Sequence, residues 1–249
     1  MRYPFRYYGR DPLDWYEGAN LASGKVPDDE PTAAPELLAK LGPTAAIAVS
    51  PSGRVAALVP TDTYFAYDVA WIDANGEPRR ATVSGNRGLR AVTIDERRAF
   101  VCNVDAVLAV DLDAAGPLRK VYEGDYGEVG SLTYVATLDA GRLIVAAKKG
   151  VLLLSPCADG TFEKVAFQKV TKCSAALGTT SGRAVLAIGQ GKERVVAFAV
   201  HADALKPIAK LTDDFVQIAI RGERGFAVDR AGTYHELVGL ERVGADQGR

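Results

Sequence analysis

Two histidines, three cysteines and a few loop carboxylates are the residues of this chain able to do chemistry, and their spacing limits what that chemistry is. His201 opens a polar stretch, His201-Ala-Asp-Ala204, that reads as a turn, while His235 alternates with its neighbours as a strand residue does. Neither lies where several repeats would converge on carboxylates able to support a general base or a metal centre, so neither a metal nor a cofactor is expected. Cys102, Cys157 and Cys173 are odd in number and show no CxxC spacing, which argues against a disulfide framework and a structural zinc site. Cys102 and Cys173 fall in apolar runs and read as small buried side chains, whereas Cys157 falls in an exposed turn. Gly18-Ala-Asn-Leu-Ala-Ser-Gly-Lys25 is a poor phosphate loop, because its first glycine is one residue too distant and Val26 replaces the required hydroxyl residue. Asp73-Ala-Asn-Gly76 lacks the alternating oxygen ligands and terminal glutamate of a calcium loop.

Two groups of residues hold more promise. Asp62, Asp105, Asp125, Glu128, Asp213 and Asp214 are loop carboxylates, and a pair of them facing one cavity would suit acid–base work on a small polar ligand or sugar. The second group is a mixed charged and aromatic surface. It comprises Tyr122, Asp125, Tyr126 and Glu128 in the stretch 122–130, with Lys148, Lys149, Lys192, Arg194, Asp213 and Asp214 in other non-repeated loops. Tyrosine anchors among hydrogen-bonding side chains suit recognition of another macromolecule.

The elements that position these loops are set by a repeat. Arg54, Arg98, Arg142, Arg183 and Arg224 recur at intervals of 44, 44, 41 and 41 residues, each after a polar turn and before an apolar run. Examples are Ser50-Pro-Ser-Gly-Arg-Val-Ala-Ala-Leu-Val59 and Thr179-Thr-Ser-Gly-Arg-Ala-Val-Leu-Ala-Ile188. A period of about 40 residues carrying several strand signals predicts β-propeller blades. The second unit shows four strands, at Leu89 to Ile94, Arg98 to Asn103, Ala106 to Leu112 and Pro117 to Tyr122. First strands are expected also at Ala45 to Ser50, Ser131 to Leu138, Cys173 to Gly178 and Phe215 to Ile220, all rich in small residues. Asp73-Ala-Asn-Gly76, Asp113-Ala-Ala-Gly116, Ala158-Asp-Gly160 and His201-Ala-Asp-Ala204 read as the turns between third and fourth strands. The repeated arginines are expected to reach neighbouring hairpin carboxylates or project into water; gathering a polyanion is the lesser reading.

The fifth repeat runs out after three strands, Phe215 to Ile220, Gly225 to Asp229 and Thr233 to Val238. At the other end Tyr3, Phe5 and Tyr7 alternate with Arg2, Pro4 and Arg6, a half-buried edge pattern that predicts a strand completing the last blade. The expected division is therefore a closing strand at 1–9, a linker with a short helix at 10–43, and blades at 44–88, 89–130, 131–172, 173–214 and 215–249, the last including a polar tail. Pro35 and Gly42 bracket the helix. Arg10 falls 44 residues before Arg54, so six blades with a degenerate first repeat is the alternative.

The turn Ser50-Pro-Ser-Gly-Arg54 and the apolar run after it resemble the repeats of the YVTN-type and WD40-type β-propeller superfamilies, over about residues 44 to 238. The Gly-His and Trp-Asp dipeptides of WD40 repeats are absent. The repeats predict an all-β, five-bladed propeller, and what the resemblance implies is, more often than an enzyme, a platform for partners. With 30 Lys plus Arg against 31 Asp plus Glu, the net charge of −1 gives no field to draw in nucleic acid or an anionic membrane. The amino terminus lacks a signal-peptide core and no apolar run approaches a membrane span, so a cytoplasmic protein is expected. The leading expectation is a non-catalytic protein-binding module or scaffold, with inhibitor or neutralising partner among its candidate roles. The rival is a hydrolase-like propeller enzyme taking a small polar or sugar ligand in the axial mouth.

Overall fold

The computed structural model describes residues 40–41, 44–50, 52–62, 67–82, 88–114, 116–179, 181–192 and 194–237. The expected closing strand, most of the linker and the polar tail lie outside the described residues. Lys40 and Leu41 are helical, where the bracketed helix was expected to end. The chain divides into two compact units, residues 1–120 and 121–249.

In the first unit, β1 (Ala46–Val49), β2 (Val55–Pro60), β3 (Tyr67–Ile72) and β4 (Pro78–Ala81) form one antiparallel sheet in sequence order. A second such sheet follows, with β5 (Ala91–Ile94), β6 (Arg98–Cys102), β7 (Ala106–Asp111) and β8 (Arg119–Glu123), whose last residues open the second unit. Sequential hairpins explain the meander, since the turn at Asp73–Gly76 places Gly76 at φ +76° and returns the chain with Ile72 opposite Pro78. Small residues such as Ala46 and Ala48 of β1 and Ala56 of β2 allow close approach, and with Leu58 and Trp71 they pack with Val92, Ile94, Ala99 and Val101 of the second sheet. The buried Trp71 indole donates to the Leu112 carbonyl at 3.2 Å, which satisfies its one polar atom.

The second unit contains two four-stranded sheets and one of three strands among the described residues. The first is β9 (Leu132–Thr137), β10 (Leu143–Ala147), β11 (Gly150–Pro156) and β12 (Phe162–Lys169). The second is β13 (Ala175–Gly178), β14 (Ala184–Ile188), β15 (Val195–Val200) and β16 (Leu205–Leu211), and the third is β17 (Phe215–Arg221), β18 (Arg224–Asp229) and β19 (Tyr234–Leu237). The second strands of the two four-stranded sheets, β10 and β14, are buried along their whole length, which is why they read as continuous apolar runs rather than alternating ones. Of the fourth strands β16 is mostly exposed and β12 partly so, and they carry Lys164, Lys169, Lys206 and Lys210, with Pro207, the devices that protect a sheet edge.

The turns before the second strands tie adjacent sheets within each unit. In the first unit Ser52 donates through its backbone N to Glu96 Oε1 at 3.2 Å, and its hydroxyl bonds the same carboxylate. In the second, Ser181 repeats this on Glu223 with backbone and hydroxyl bonds of 2.7 Å each. Gly182 lies beside that latch at φ +67°, where a Cβ would fall 2.1 Å from Asp139 Oδ1, so both the backbone and the space require glycine.

Candidate functional site

The connection from β8 to β9 builds the best-defined surface of the second unit. It turns through a four-residue helix, Tyr126–Val129. Asp125 is its N-cap, and Asp125 Oδ1 accepts from the backbone N of Gly127 at 2.8 Å and of Glu128 at 3.2 Å. Gly130 ends the helix at φ +76°, and a Cβ there would meet Lys148 Cβ at 3.1 Å. The β10–β11 turn fastens the other side: Lys149 N donates to the Val129 carbonyl at 3.0 Å and Lys149 Nζ to the Gly127 carbonyl at 2.6 Å. Glu128 pairs with Lys164 of β12, and Val129 is buried beneath the turn.

Tyr126 projects from this braced turn with 62% of its surface exposed, while Tyr122 stays half-buried. Burial, and then the negative charges of Glu128 and Asp125, push the Tyr122 hydroxyl above the ordinary tyrosine range, so it remains a neutral hydrogen-bonding group. The structure thus brings together Tyr122, Asp125, Tyr126, Glu128, Lys148 and Lys149, with Lys148 exposed beside the turn. Sequence reasoning missed Lys164, whose partner lies 36 residues away.

Asp213, Asp214 and Arg194 belong to a second place in the same unit, around the three-stranded sheet. Arg194 Nη2 lies 3.3 Å from Asp214 Oδ1, and Arg230 pairs with the other oxygen of Asp214. Lys192 is exposed in the β14–β15 turn. Asp213, Asp214 and Phe215 line an open cleft of about 380 Å³ whose other wall includes Asp229, Arg230 and His235. His235 Nε2 is 2.9 Å from Asp229 Oδ2, and its ring meets Phe215 edge-on at 5.4 Å.

The Asp229–His235 pair has a counterpart that explains it. Asp229 Oδ1 accepts from Ala231 N and Thr233 N, both at 2.9 Å. In the first unit Asp73 Oδ1 accepts from Asn75 N at 2.9 Å and Glu77 N at 3.0 Å, while its Oδ2 takes Arg79 Nε at 2.9 Å. Both aspartates bind the second and fourth following amides and brace a basic side chain six positions on. His235 fills the slot that Arg79 fills elsewhere, so this dyad is first a hairpin brace. The hydrogen bond from His235, then those from the backbone, hold Asp229 below the ordinary carboxylate range. Asp62 is exposed after β2 and Asp105 sits in the β6–β7 turn, both in the first unit. Among the described residues no group of three or more His, Cys, Asp or Glu side chains is placed to hold a metal ion, and no helix is long and apolar enough to cross a membrane.

Four of the repeated arginines are committed to structure. Arg54 binds Asp113 through both terminal nitrogens, at 2.6 and 3.2 Å, and the Glu96 carbonyl at 2.8 Å. Arg142 reaches Asp139 at 2.5 Å and the His201 carbonyl at 3.2 Å. Arg98 lies 3.6 Å from Asp95 and over the Phe100 ring, and Arg224 grips Glu236 at 2.5 and 2.6 Å. Arg183 is exposed. Reaching a hairpin carboxylate was the expected role for these side chains, and Arg54 with Asp113 shows it most directly.

The described sheets have the fold of β-propeller proteins. The Myceliophteria thermophila Cps50 (Swd1) β-propeller domain is 15% identical over 78% of this chain and 71% of its own, with a TM-score of 0.54. A putative 6-phosphogluconolactonase from Bacteroides uniformis is 14% identical over 74% of this chain and 67% of its own, with a TM-score of 0.53. Virginiamycin B lyase from Staphylococcus aureus is 10% identical over 76% of this chain and 64% of its own, with a TM-score of 0.56. At such identities the likeness is one of fold, consistent with the WD40- and YVTN-like repeat pattern, and the names span different activities. No protein-family model matches the chain, and no curated protein matches it.

Proposed function

We propose that this is a non-catalytic protein-binding module or scaffold, with Tyr126 as its aromatic anchor; inhibition or neutralisation of the bound protein is a role such a surface can serve. The observation that supports this reading is the braced turn: Tyr126 is 62% exposed while the backbone carrying it is held by Asp125 and Lys149. An exposed tyrosine on an ordered turn offers contact area at small entropic cost. Tyr122, Asp125, Glu128, Lys148 and Lys149 supply the surrounding polar contacts. Lys192, Arg194, Asp213 and Asp214 form a second polar contact region in this reading. The partner is a protein rather than a nucleic acid or a membrane, in keeping with the net charge of −1.

The experiment is quantitative native capture with wild type, Tyr126→Phe and Tyr126→Ala, the bound protein being identified and its affinity then measured with purified components. Retention by Phe and at least tenfold weakening by Ala supports the reading, whereas equal affinity of all three removes Tyr126 from the interface. A second reading, a propeller enzyme acting on a small polar or sugar ligand, draws on the cleft where Asp213 and Asp214 face common space. Ligand-dependent thermal shifts that disappear in Asp213→Asn would favour it.

We also infer that the repeats form a five-bladed propeller in which residues 1–9 supply the closing strand, and that the protein is cytoplasmic. The three-strand count of the last described sheet supports the first inference. The free state of Cys102, Cys157 and Cys173 supports the second.

A further inference from the structure

Two hairpins with one geometry carry different residues before their glycine. In the first unit Asp73 N donates to the Glu77 carbonyl at 2.9 Å and Gly76 N to the Asp73 carbonyl at 3.0 Å, with Gly76 at φ +76°. In the second, Cys157 N donates to the Thr161 carbonyl at 2.8 Å and Gly160 N to the Cys157 carbonyl at 3.0 Å, with Gly160 at φ +84°. Asn75 precedes the first glycine and Asp159 the second, and both are exposed. What holds their side chains differs. Asp159 Oδ1 accepts from Thr161 N at 2.9 Å and from the Thr161 hydroxyl at 2.6 Å. In Asn75 only the backbone is tied, its N donating to Asp73 Oδ1 at 2.9 Å, and its carboxamide has no hydrogen-bond partner among the described residues. The other described asparagine, Asn103, accepts through Oδ1 from Asp105 N at 3.0 Å and Ala106 N at 2.6 Å, and the β-branched Val104 follows it.

We infer that Asn75 is a site of covalent modification, its carboxamide being converted through a cyclic imide with Gly76 into isoaspartate and aspartate. Gly76 N gives up its proton to solvent base and attacks Asn75 Cγ. The new C–N bond closes a five-membered ring, and the Cγ–Nδ2 bond breaks as Nδ2 takes a proton from water and leaves as ammonia. Water then opens the ring, at the main-chain carbonyl to give isoaspartate or at Cγ to give aspartate, so water is the sole co-reactant and nothing is oxidised or reduced. The attack is intramolecular, Gly76 brings no Cβ to hinder it, and the unheld carboxamide is free to turn toward the nitrogen. The hydrogen bond from Gly76 N to the Asp73 carbonyl must open first, which an exposed turn allows. Asp159 does not follow this course. The Thr161 hydroxyl, then the Thr161 amide, hold its carboxyl below the ordinary carboxylate range, and an ionised carboxylate offers the nitrogen no leaving group. Isoaspartate inserts an extra main-chain carbon into the turn that sets Ile72 opposite Pro78, and adds one negative charge beside Asp73. The site lies in the first unit and stands apart from the protein-binding reading of Tyr126.

The test incubates the folded full chain in mildly alkaline buffer at physiological temperature and follows it by peptide mapping, with fragmentation that separates isoaspartate from aspartate. Asn75 should convert at least tenfold faster than Asn103, isoaspartate should exceed aspartate, and Asp159 should remain aspartate. An unchanged Asn75, over a period in which the same residue of the guanidinium-unfolded chain converts, overturns the proposal, because the hairpin then shields the site. Aspartate without isoaspartate overturns the cyclic imide. Equal conversion at Asn103, or isomerised Asp159, overturns the role given to the side-chain hydrogen bonds. None of these outcomes needs a variant to fold. In Asn75→Gln the longer side chain must close a larger ring, so that peptide should stay unmodified; conversion there at the wild-type rate would equally overturn the mechanism.

Discussion

Ser181 gives Glu223 two hydrogen bonds, one from its backbone N and one from its hydroxyl, each 2.7 Å long, and so joins the turn before β14 to the turn before β18. The fork uses both carboxylate oxygens, leaving the glutamate little freedom. Because the bonds reach an ionised group, they are stronger than neutral ones. Glu223→Gln should destabilise the protein by about 1–2 kcal/mol, and Ser181→Ala by about 1 kcal/mol, since the backbone bond survives the second change. Denaturant midpoints with an unchanged m-value are the measurement; no shift in either variant would show that the latch contributes nothing.

A second prediction concerns acid. Asp113 is held below its ordinary range first by the hydrogen bonds from Arg54, and Glu236 by those from Arg224. A carboxylate depressed by folding contributes stability at all pH values above its unfolded pKa of roughly 4 and loses it as the pH falls through the folded value. Stability should therefore decline below about pH 4. In Asp113→Asn the decline should be shallower, with lower stability at neutral pH. Parallel pH profiles for variant and wild type would rule out Arg54 as the cause.

Much of this was legible in the sequence because the architecture repeats locally. Each arginine lies at or immediately before a second strand, since a tight polar turn followed by an apolar run needs only near neighbours to form. The contacts that give the candidate surface its geometry are not local: Lys164 meets Glu128 from 36 residues away, and Lys149 meets Gly127 from 22. No spacing rule joins such pairs before the sheets are assembled. The Asp229-Arg-Ala-Gly232 hairpin was within reach, because it repeats the Asp73-Ala-Asn-Gly76 pattern. A rule that ties the pattern to the turn between third and fourth strands does not find it, because here it joins the second and third.

Thiol chemistry provides a third test. Cys173 is fully buried, and burial pushes its thiol up to about 12, so the reactive thiolate is scarce at neutral pH. Cys102 is likewise buried, whereas Cys157 is partly exposed. Alkylation of the native protein near pH 8 should modify Cys157 alone, and unfolding should release the other two. Native labelling of Cys173 at the rate of Cys157 would contradict the packing of β13.

Residues 1–9 give a fourth. If they complete a sheet as proposed, their removal exposes a strand edge and leaves apolar surface uncovered, and each large side chain so lost costs about 1.5–3 kcal/mol. The truncated chain should melt lower or aggregate. An unchanged midpoint and solubility would leave the closing-strand proposal without support and reopen the count of five blades.

The last prediction separates the anchor from its brace. Asp125→Ala removes the side chain that accepts from Gly127 N and Glu128 N, leaving two amides at the start of an exposed turn to water. Loss of an N-cap costs about 0.5–2 kcal/mol, and in a turn of four residues most of that falls on local order rather than on global unfolding. Tyr126 keeps its ring but loses its fixed direction, so a bound protein must order the turn as it binds. Affinity should fall in Asp125→Ala chiefly through faster dissociation, while Asp125→Asn, also a good N-cap, should retain most of it. Gly130→Ala should act in the same direction, because a side chain there must take φ +76° and crowd Lys148. Binding kinetics against the captured protein decide the matter: if Tyr126→Ala weakens binding while neither brace variant changes dissociation, the ring matters and its preorganisation does not.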